Sequence, residues 1–166
     1  MSAAVLAAAV TFFPAAATQG SVTPPPVVVS PSAPSQTGIG PSLYEGRFFR
    51  ARLEEYRKCV AQREGRFQYG STGSNGRYES TYQMTDALVR GAAWEMTPEL
   101  RELFPTEWRR VRNRLLVTPG HLWNRFYMDM AFWTILNVRG DATGAKHWVG
   151  GRFSCRPGMA SFGGAR

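Results

Sequence analysis

The stretch KCVAQREGRFQYG, Lys58 to Gly70, sets a single glutamate, Glu64, between Arg63 and Gly65, a few residues after Cys59. A carboxyl there can do acid–base chemistry if its surroundings keep it protonated near neutral pH. Other chemistries find less support. The two histidines, His121 and His147, come with no nucleophile elbow, so a Ser-His-Asp hydrolase is poorly served. There is no HExxH for a zinc hydrolase and no CxxC or Cys/His cluster for a structural zinc. No metal and no cofactor is expected.

The element carrying Glu64 reads as a helix over residues 45–64. Phe49, Leu53, Tyr56 and Val60 form the stripe of a core-facing helix, and Glu64 continues it. Gly65 follows as a helix stop. Burial on that face disfavours a charged carboxylate. The negative end of the helix also repels an anion. Both effects favour the protonated acid, and Arg63 and Arg66 oppose them if they lie close. The competing reading of Glu64 is a solvated charge at a helix end.

Beyond Glu64, Asn75-Gly76 is a turn signal, and the alternation around Tyr78, Ser80 and Tyr82 reads as a small hairpin or irregular loop over about 67–84. Thr85 or Asp86 caps a helix running to about Trp94. Thr97-Pro98-Glu99 opens another. Trp108, Val111 and Leu115 mark a helix at about 105–116. LWNRFYMDMAFWTILNV is apolar nearly all round, as expected of a central buried helix; Asp129 interrupts it and Gly140 ends it. The segment GAKHWVGGRFSC reads as a loop. The expected fold is mainly α (α+β), with one minor β element.

Charge divides the chain. Residues 1–44 carry no Lys, Arg, Asp or Glu, so the net charge of +8 lies entirely in 45–166. MSAAVLAAAVTFFPAAATQG is apolar and ends in small residues, and residues 1–18 read as a signal peptide. The run is short for a membrane span, which needs roughly 20 residues. Residues 19–42, with Pro24, Pro25, Pro26, Pro31, Pro34 and Pro41, read as a disordered, extended linker. Residues 43–166 are left as one domain, enough for a single core. With export, Cys59 and Cys155 read as one disulfide; in a cytosolic chain they would be two buried thiols.

Cys59-Val60-Ala61-Gln62-Arg63-Glu64 resembles the "C-x-x-x-x-E-S" opening of secreted bacterial transglycosylase-like domains, which include the resuscitation-promoting factors of the lysozyme-like superfamily. Tyr78-Glu79-Ser80-Thr81-Tyr82-Gln83-Met84 is similar to the family's "Y-x-G-x-x-Q-F" segment, the hairpin side of a saccharide cleft. Trp148 with Cys155 resembles its terminal "W…C", whose cysteine bonds back to the one before the glutamate. Gly65 replaces the family's serine, and Ser80 and Thr81 replace its glycines.

The resemblance implies a lysozyme-like helical domain with a hairpin lining the cleft. It implies that Glu64 protonates the glycosidic oxygen between N-acetylmuramic acid and N-acetylglucosamine in peptidoglycan glycan strands. Glu64 would then act as base on the muramyl 6-hydroxyl. Tyr78, Thr81, Tyr82, Gln83 and Trp148 would bind substrate. Glu79 and Asp86 are the nearest candidates in sequence for the second carboxylate of a hydrolytic enzyme. A secreted or wall-associated monomer is implied, with a peptidoglycan endopeptidase as a candidate partner.

Two rivals stand beside it. One is a wall-binding or growth-signalling domain that keeps the fold without turnover. The other is a nucleic-acid binder using the four arginines of WRRVRNRLL, against which export and a disulfide argue. Arg139-Gly140-Asp141 spells an adhesion tripeptide, which a helix-ending turn explains more cheaply.

Overall fold

In the computed structural model, residues 23–30, 33, 36–38, 40–149 and 155–157 are described. The proposed signal peptide, residues 1–18, lies outside them. Five helices follow in order: α1 Glu54–Gly65, α2 Asp86–Glu95, α3 Thr97–Leu103, α4 Trp108–Val117 and α5 Arg125–Asn137. Between α1 and α2 lie three short strands, β1 Thr72–Gly73, β2 Tyr78–Glu79 and β3 Met84–Thr85. They form one antiparallel sheet in the order β1-β2-β3, with Gly73 opposite Tyr78 and Tyr78 opposite Thr85. The protein is mainly helical with a small sheet, as its periodicities predict. No helix among the described residues is long and apolar enough to cross a membrane.

α5 is the centre. Tyr127, Met128, Met130, Phe132, Trp133 and Leu136 are fully buried, and the helix is apolar all round because the other elements surround it. Asn124 caps it by accepting from the Phe126 amide at 2.9 Å. Thr85 caps α2 in the same way through the Leu88 amide, as its position in the sequence predicts.

The helix expected over 45–64 is shorter. Residues 45–50 are not helical, and a 3-10 turn at Ala51–Leu53 precedes α1. Distant partners claim the backbone there. The Arg47 amide donates to Glu99 at 3.0 Å, and the Asn137 side chain donates to the Phe48 carbonyl at 2.7 Å. Phe49 packs edge-on against Trp133. The stripe itself is real: Leu53, Tyr56 and Val60 are all buried. Thr143–Trp148, read from sequence as loop, is a 3-10 turn packed on α5.

The larger correction concerns the linker. The described residues within 19–42 form a strap along the domain. Val28 pairs with Trp123, the Asn124 amide donates to the Val27 carbonyl at 2.7 Å, and the Tyr127 hydroxyl donates to the Pro25 carbonyl at 2.8 Å. Gln36 is fully buried; its amide donates to the Trp123 carbonyl and accepts from the Arg125 amide. Buried donors of the domain hold the strap there. Arg57 and Arg125 are buried, and both donate to the Gly40 carbonyl at 2.8 Å. Proline removes a donor but leaves the carbonyl, so a Pro-rich strap can satisfy buried donors without needing partners for its own N–H groups.

Asp129, read as an interruption of the helix, is a hub. Its Oδ1 accepts from the Tyr69 and Tyr82 hydroxyls, each at 2.6 Å, and its Oδ2 accepts from the Leu43 amide at 3.0 Å. The Arg57 guanidinium lies 3.6 Å from Oδ1 and donates to both tyrosines. Burial, then the Asp129 charge, pushes both phenols well above their ordinary range, so they remain donors.

Candidate functional site

Glu64 lies in the last turn of α1, one helical turn beyond fully buried Val60. Its side chain is 29% exposed, at the edge of the core and not in bulk solvent. Arg63 holds it: Nε and Nη2 both donate to Oε1, at 2.9 and 2.5 Å. The same Nη2 donates to the Trp148 carbonyl at 2.5 Å, which ties the pair to the 3-10 turn. Tyr56, two turns back on this face, is pushed up to about 12 by burial, with Arg63 opposing and Glu64 adding to the shift. Glu64 is thus partly exposed, with the Arg63 guanidinium in contact with it.

A disulfide closes the arrangement. Cys59 and Cys155 are bonded, with Cα atoms 5.8 Å apart and a separation of 96 positions in sequence. A loop of that order gives up to ~4.7 kcal/mol in the chain-entropy account. Cys155 is thereby anchored to the helix that carries Glu64.

The turn beyond β2 packs directly on the end of α1. A methyl group on Gly65 would overlap Thr81, lying 2.7 Å from its carbonyl oxygen and 2.8 Å from its carbonyl carbon. Gly65 is therefore needed for close approach. It is not the left-handed stop that the sequence predicts: Arg66 takes that role at φ 50, and Phe67 follows at φ 60. Ser74, Asn75, Ser80 and Gln83 also have positive φ, so every described non-glycine of this kind except Ala142 lies between Arg66 and Gln83. Such backbone is costly unless its surroundings hold it, and it gathers at functional sites.

The expected substrate-binding residues divide. Tyr82 is fully buried; it stacks on Phe132 at 4.5 Å and is bonded to Asp129. Trp148 is also buried, packs at a tilt against Phe132 with ring centroids 4.7 Å apart, and donates its indole N–H to the Tyr82 carbonyl at 2.9 Å. Thr81 is buried and donates to the Ala61 carbonyl at 3.2 Å. None of these three offers a face to a saccharide, which corrects the sequence expectation. Each occupies a place in the core that the pattern of residue types does not reveal. Tyr78 is half-buried, on the sheet face opposite Glu79, with the Arg77 guanidinium 5.9 Å from its ring. Gln83 is half-buried and donates to the Ser80 carbonyl at 2.8 Å, a bond internal to the hairpin. These two remain within reach of a ligand.

Both candidates for a second carboxylate are engaged by partners other than those of Glu64. Glu79 is buried and accepts from the His121 amide at 3.1 Å, with His121 Nδ1 3.5 Å away. Asp86 is exposed and ion-paired with Arg90. Asp141 of the Arg-Gly-Asp tripeptide is occupied by Arg50 and Arg52. Among the described residues, no group of three or more His, Cys, Asp or Glu side chains could hold a metal ion. A cavity of about 340 Å³ lies elsewhere, between Pro24–Val28 of the strap and Arg110, Val111 and Arg114 of α4.

Of the two arginines the sequence sets beside Glu64, Arg63 is the one bonded to its carboxylate. Sequence reasoning missed Asp129, whose signal was a lone carboxylate on an otherwise apolar helix. In comparison with known proteins, no family model, no curated protein and no solved structure matches this chain.

Proposed function

We propose that the protein acts on peptidoglycan glycan strands, with Glu64 as the single acid/base that breaks the bond from N-acetylmuramic acid to N-acetylglucosamine. The lysozyme-like reading of the fold is part of this proposal. One observation carries it: the Glu64 carboxyl, partly exposed, sits in the last turn of α1 beside a strained turn, on the helix that the disulfide anchors. Glu64 gives its proton to the glycosidic oxygen as the bond to C1 breaks. The substrate's N-acetyl group stabilises the positive centre at C1. Arg63 stabilises the carboxylate left behind. That carboxylate takes the proton of the muramyl 6-hydroxyl as its oxygen bonds to C1, leaving a 1,6-anhydro end and a protonated Glu64. One carboxyl suffices for this route, which accords with Glu79 and Asp86 being engaged elsewhere.

An extracytoplasmic, wall-associated setting follows from the same reading, since disulfides persist in oxidising compartments. A peptidoglycan endopeptidase is a fitting partner for a strand-cutting domain. The second reading, a wall-binding domain without turnover, draws on the burial of Thr81, Tyr82 and Trp148, which leaves few groups to grip a sugar near Glu64.

The test is digestion of purified peptidoglycan by the full chain, with mass spectrometry of the products, alongside Glu64→Gln. Anhydro-muramyl ends from the wild type alone support the lytic route, and reducing ends from the wild type alone support a hydrolytic one. Equal results for both proteins remove Glu64 from the chemistry.

A further inference from the structure

Away from Glu64, the ends of three helices bring aromatic and basic groups together. Trp94 is in the last turn of α2, Arg101 is in α3, and Trp108, Arg109 and Arg112 are in the first turns of α4. Arg112 bridges the two rings, 4.5 Å from the centroid of Trp94 and 5.2 Å from that of Trp108. Arg101 and Arg109 lie 4.3 and 4.9 Å from Trp108. Three guanidiniums are thus held against indole faces, which limits their rotamer freedom before any ligand arrives.

These cations have no internal counterpart. Among the described residues no carboxylate pairs with Arg101, Arg109 or Arg112, while Glu102 and Glu107 are engaged by Arg47 and Arg110. Arg112 Nε is buried with no hydrogen-bond partner. Trp94 is 57% exposed, a large aromatic surface left in water. A preorganised, unneutralised guanidinium array beside an exposed indole matches one kind of partner: a strand that alternates anionic groups with rings able to stack.

We propose that this face is a second binding surface for an acidic glycan strand, with Trp94 against a pyranose ring and the three arginines on its carboxylates or phosphates. The inference rests on the glycan reading of the protein and adds a site to it. A bilayer is a poorer match, because among the described residues Trp94 is the one large exposed apolar side chain of this cluster; Val28, Leu43 and Val149 belong to other segments, and Val117 is at the opposite end of α4 from Trp108 and Arg109. Nucleic acid is a poorer match because the chain carries a disulfide, which belongs to oxidising compartments.

The experiment is co-sedimentation of the full chain with insoluble peptidoglycan, both stripped of its phosphate polymers and carrying them. Glu64→Gln is used throughout so that turnover does not interfere. Arg101→Gln/Arg109→Gln/Arg112→Gln is expected to weaken binding by about tenfold or more and to flatten its fall between about 50 and 200 mM salt. Loss on stripped wall identifies carboxylates as the ligand groups; loss confined to the polymer-bearing wall identifies phosphates. If the triple variant fails to fold by circular dichroism, Arg101→Gln/Trp94→Ala, both exposed, replaces it with the same expectation. Unchanged binding by a folded variant overturns the inference, as does tighter binding to a single-stranded oligonucleotide or to anionic vesicles than to wall. Cleavage by the Glu64-containing protein that is indifferent to these arginines sinks the second surface alone. Arginine-dependent binding without cleavage sinks the catalytic reading alone.

Discussion

Gly65 and Thr81 meet backbone to backbone, and that contact joins the end of the Glu64 helix to the turn after β2. The Thr81 hydroxyl donates to the Ala61 carbonyl from the same turn, so the two elements are locked at two points.

Gly65→Ala forces a methyl group into Thr81, where the neighbour is backbone and cannot rotate away. The expected cost is about 1–3 kcal/mol. Chemical denaturation measures it, and peptidoglycan digestion should fall with it because the turn beside Glu64 is displaced. A stability equal to wild type would show that the contact is looser than described.

Asp129→Ala removes the acceptor shared by Tyr69 and Tyr82 and leaves Arg57 buried with less charge compensation. Breaking a buried pair from one side costs about 3–5 kcal/mol. Tyr82→Phe, which keeps the packing on Phe132 and deletes one donor, is expected to cost only about 1 kcal/mol. Equilibrium unfolding of the two variants should preserve that order.

The strap gives a third outcome. Deleting residues 1–22 leaves every described strap contact in place and supplies the reference protein. Deletion through residue 42 removes the Gly40, Pro41 and Gln36 acceptors of Arg57 and Arg125 and the Ser42 partner of Trp133. Each buried donor left unpaired costs about 1–3 kcal/mol, so the longer deletion should lose several kcal/mol or fail to fold. Equal midpoints for the two truncations would return residues 23–42 to the status of a spacer.

These outcomes mark how far the sequence could be read. The helical stripe of Leu53, Tyr56 and Val60 and the all-round apolar character of α5 were legible, because periodicity reports which faces are buried. The Cys59–Cys155 pair was legible from chemistry. The strap was not, because prolines among Ser, Thr and Val have the composition of a solvated spacer; only the buried guanidiniums that need its carbonyls reveal its place. Likewise Tyr82 and Trp148 look like sugar-stacking residues until Phe132 of the central helix is found packed against both. The position of Glu64 at the edge of the core was predicted by its spacing from Val60, while the hold of Arg63 on it depends on where the Trp148 carbonyl lies.

Asp141 is expected to make one small contribution to acid sensitivity. Hydrogen bonds from Arg52, then Arg50, hold its carboxyl below the ordinary value of 3.8. A carboxyl depressed in the folded state adds stability that is fully present above the unfolded value and lost as pH falls through the folded one. Asp141→Asn is therefore expected to flatten stability against pH below about 4, the unfolded carboxylate range. Thermal midpoints of both proteins from neutral pH down to pH ~2 follow the change; parallel curves would contradict it.

The most direct test is the product spectrum of peptidoglycan treated with wild-type protein and with Glu64→Gln, both shown to be folded. Glu64 as acid/base predicts anhydro-muramyl fragments from the wild type and a loss of about a hundredfold or more in the variant. Equal release by the two proteins, or none from the wild type, would contradict it.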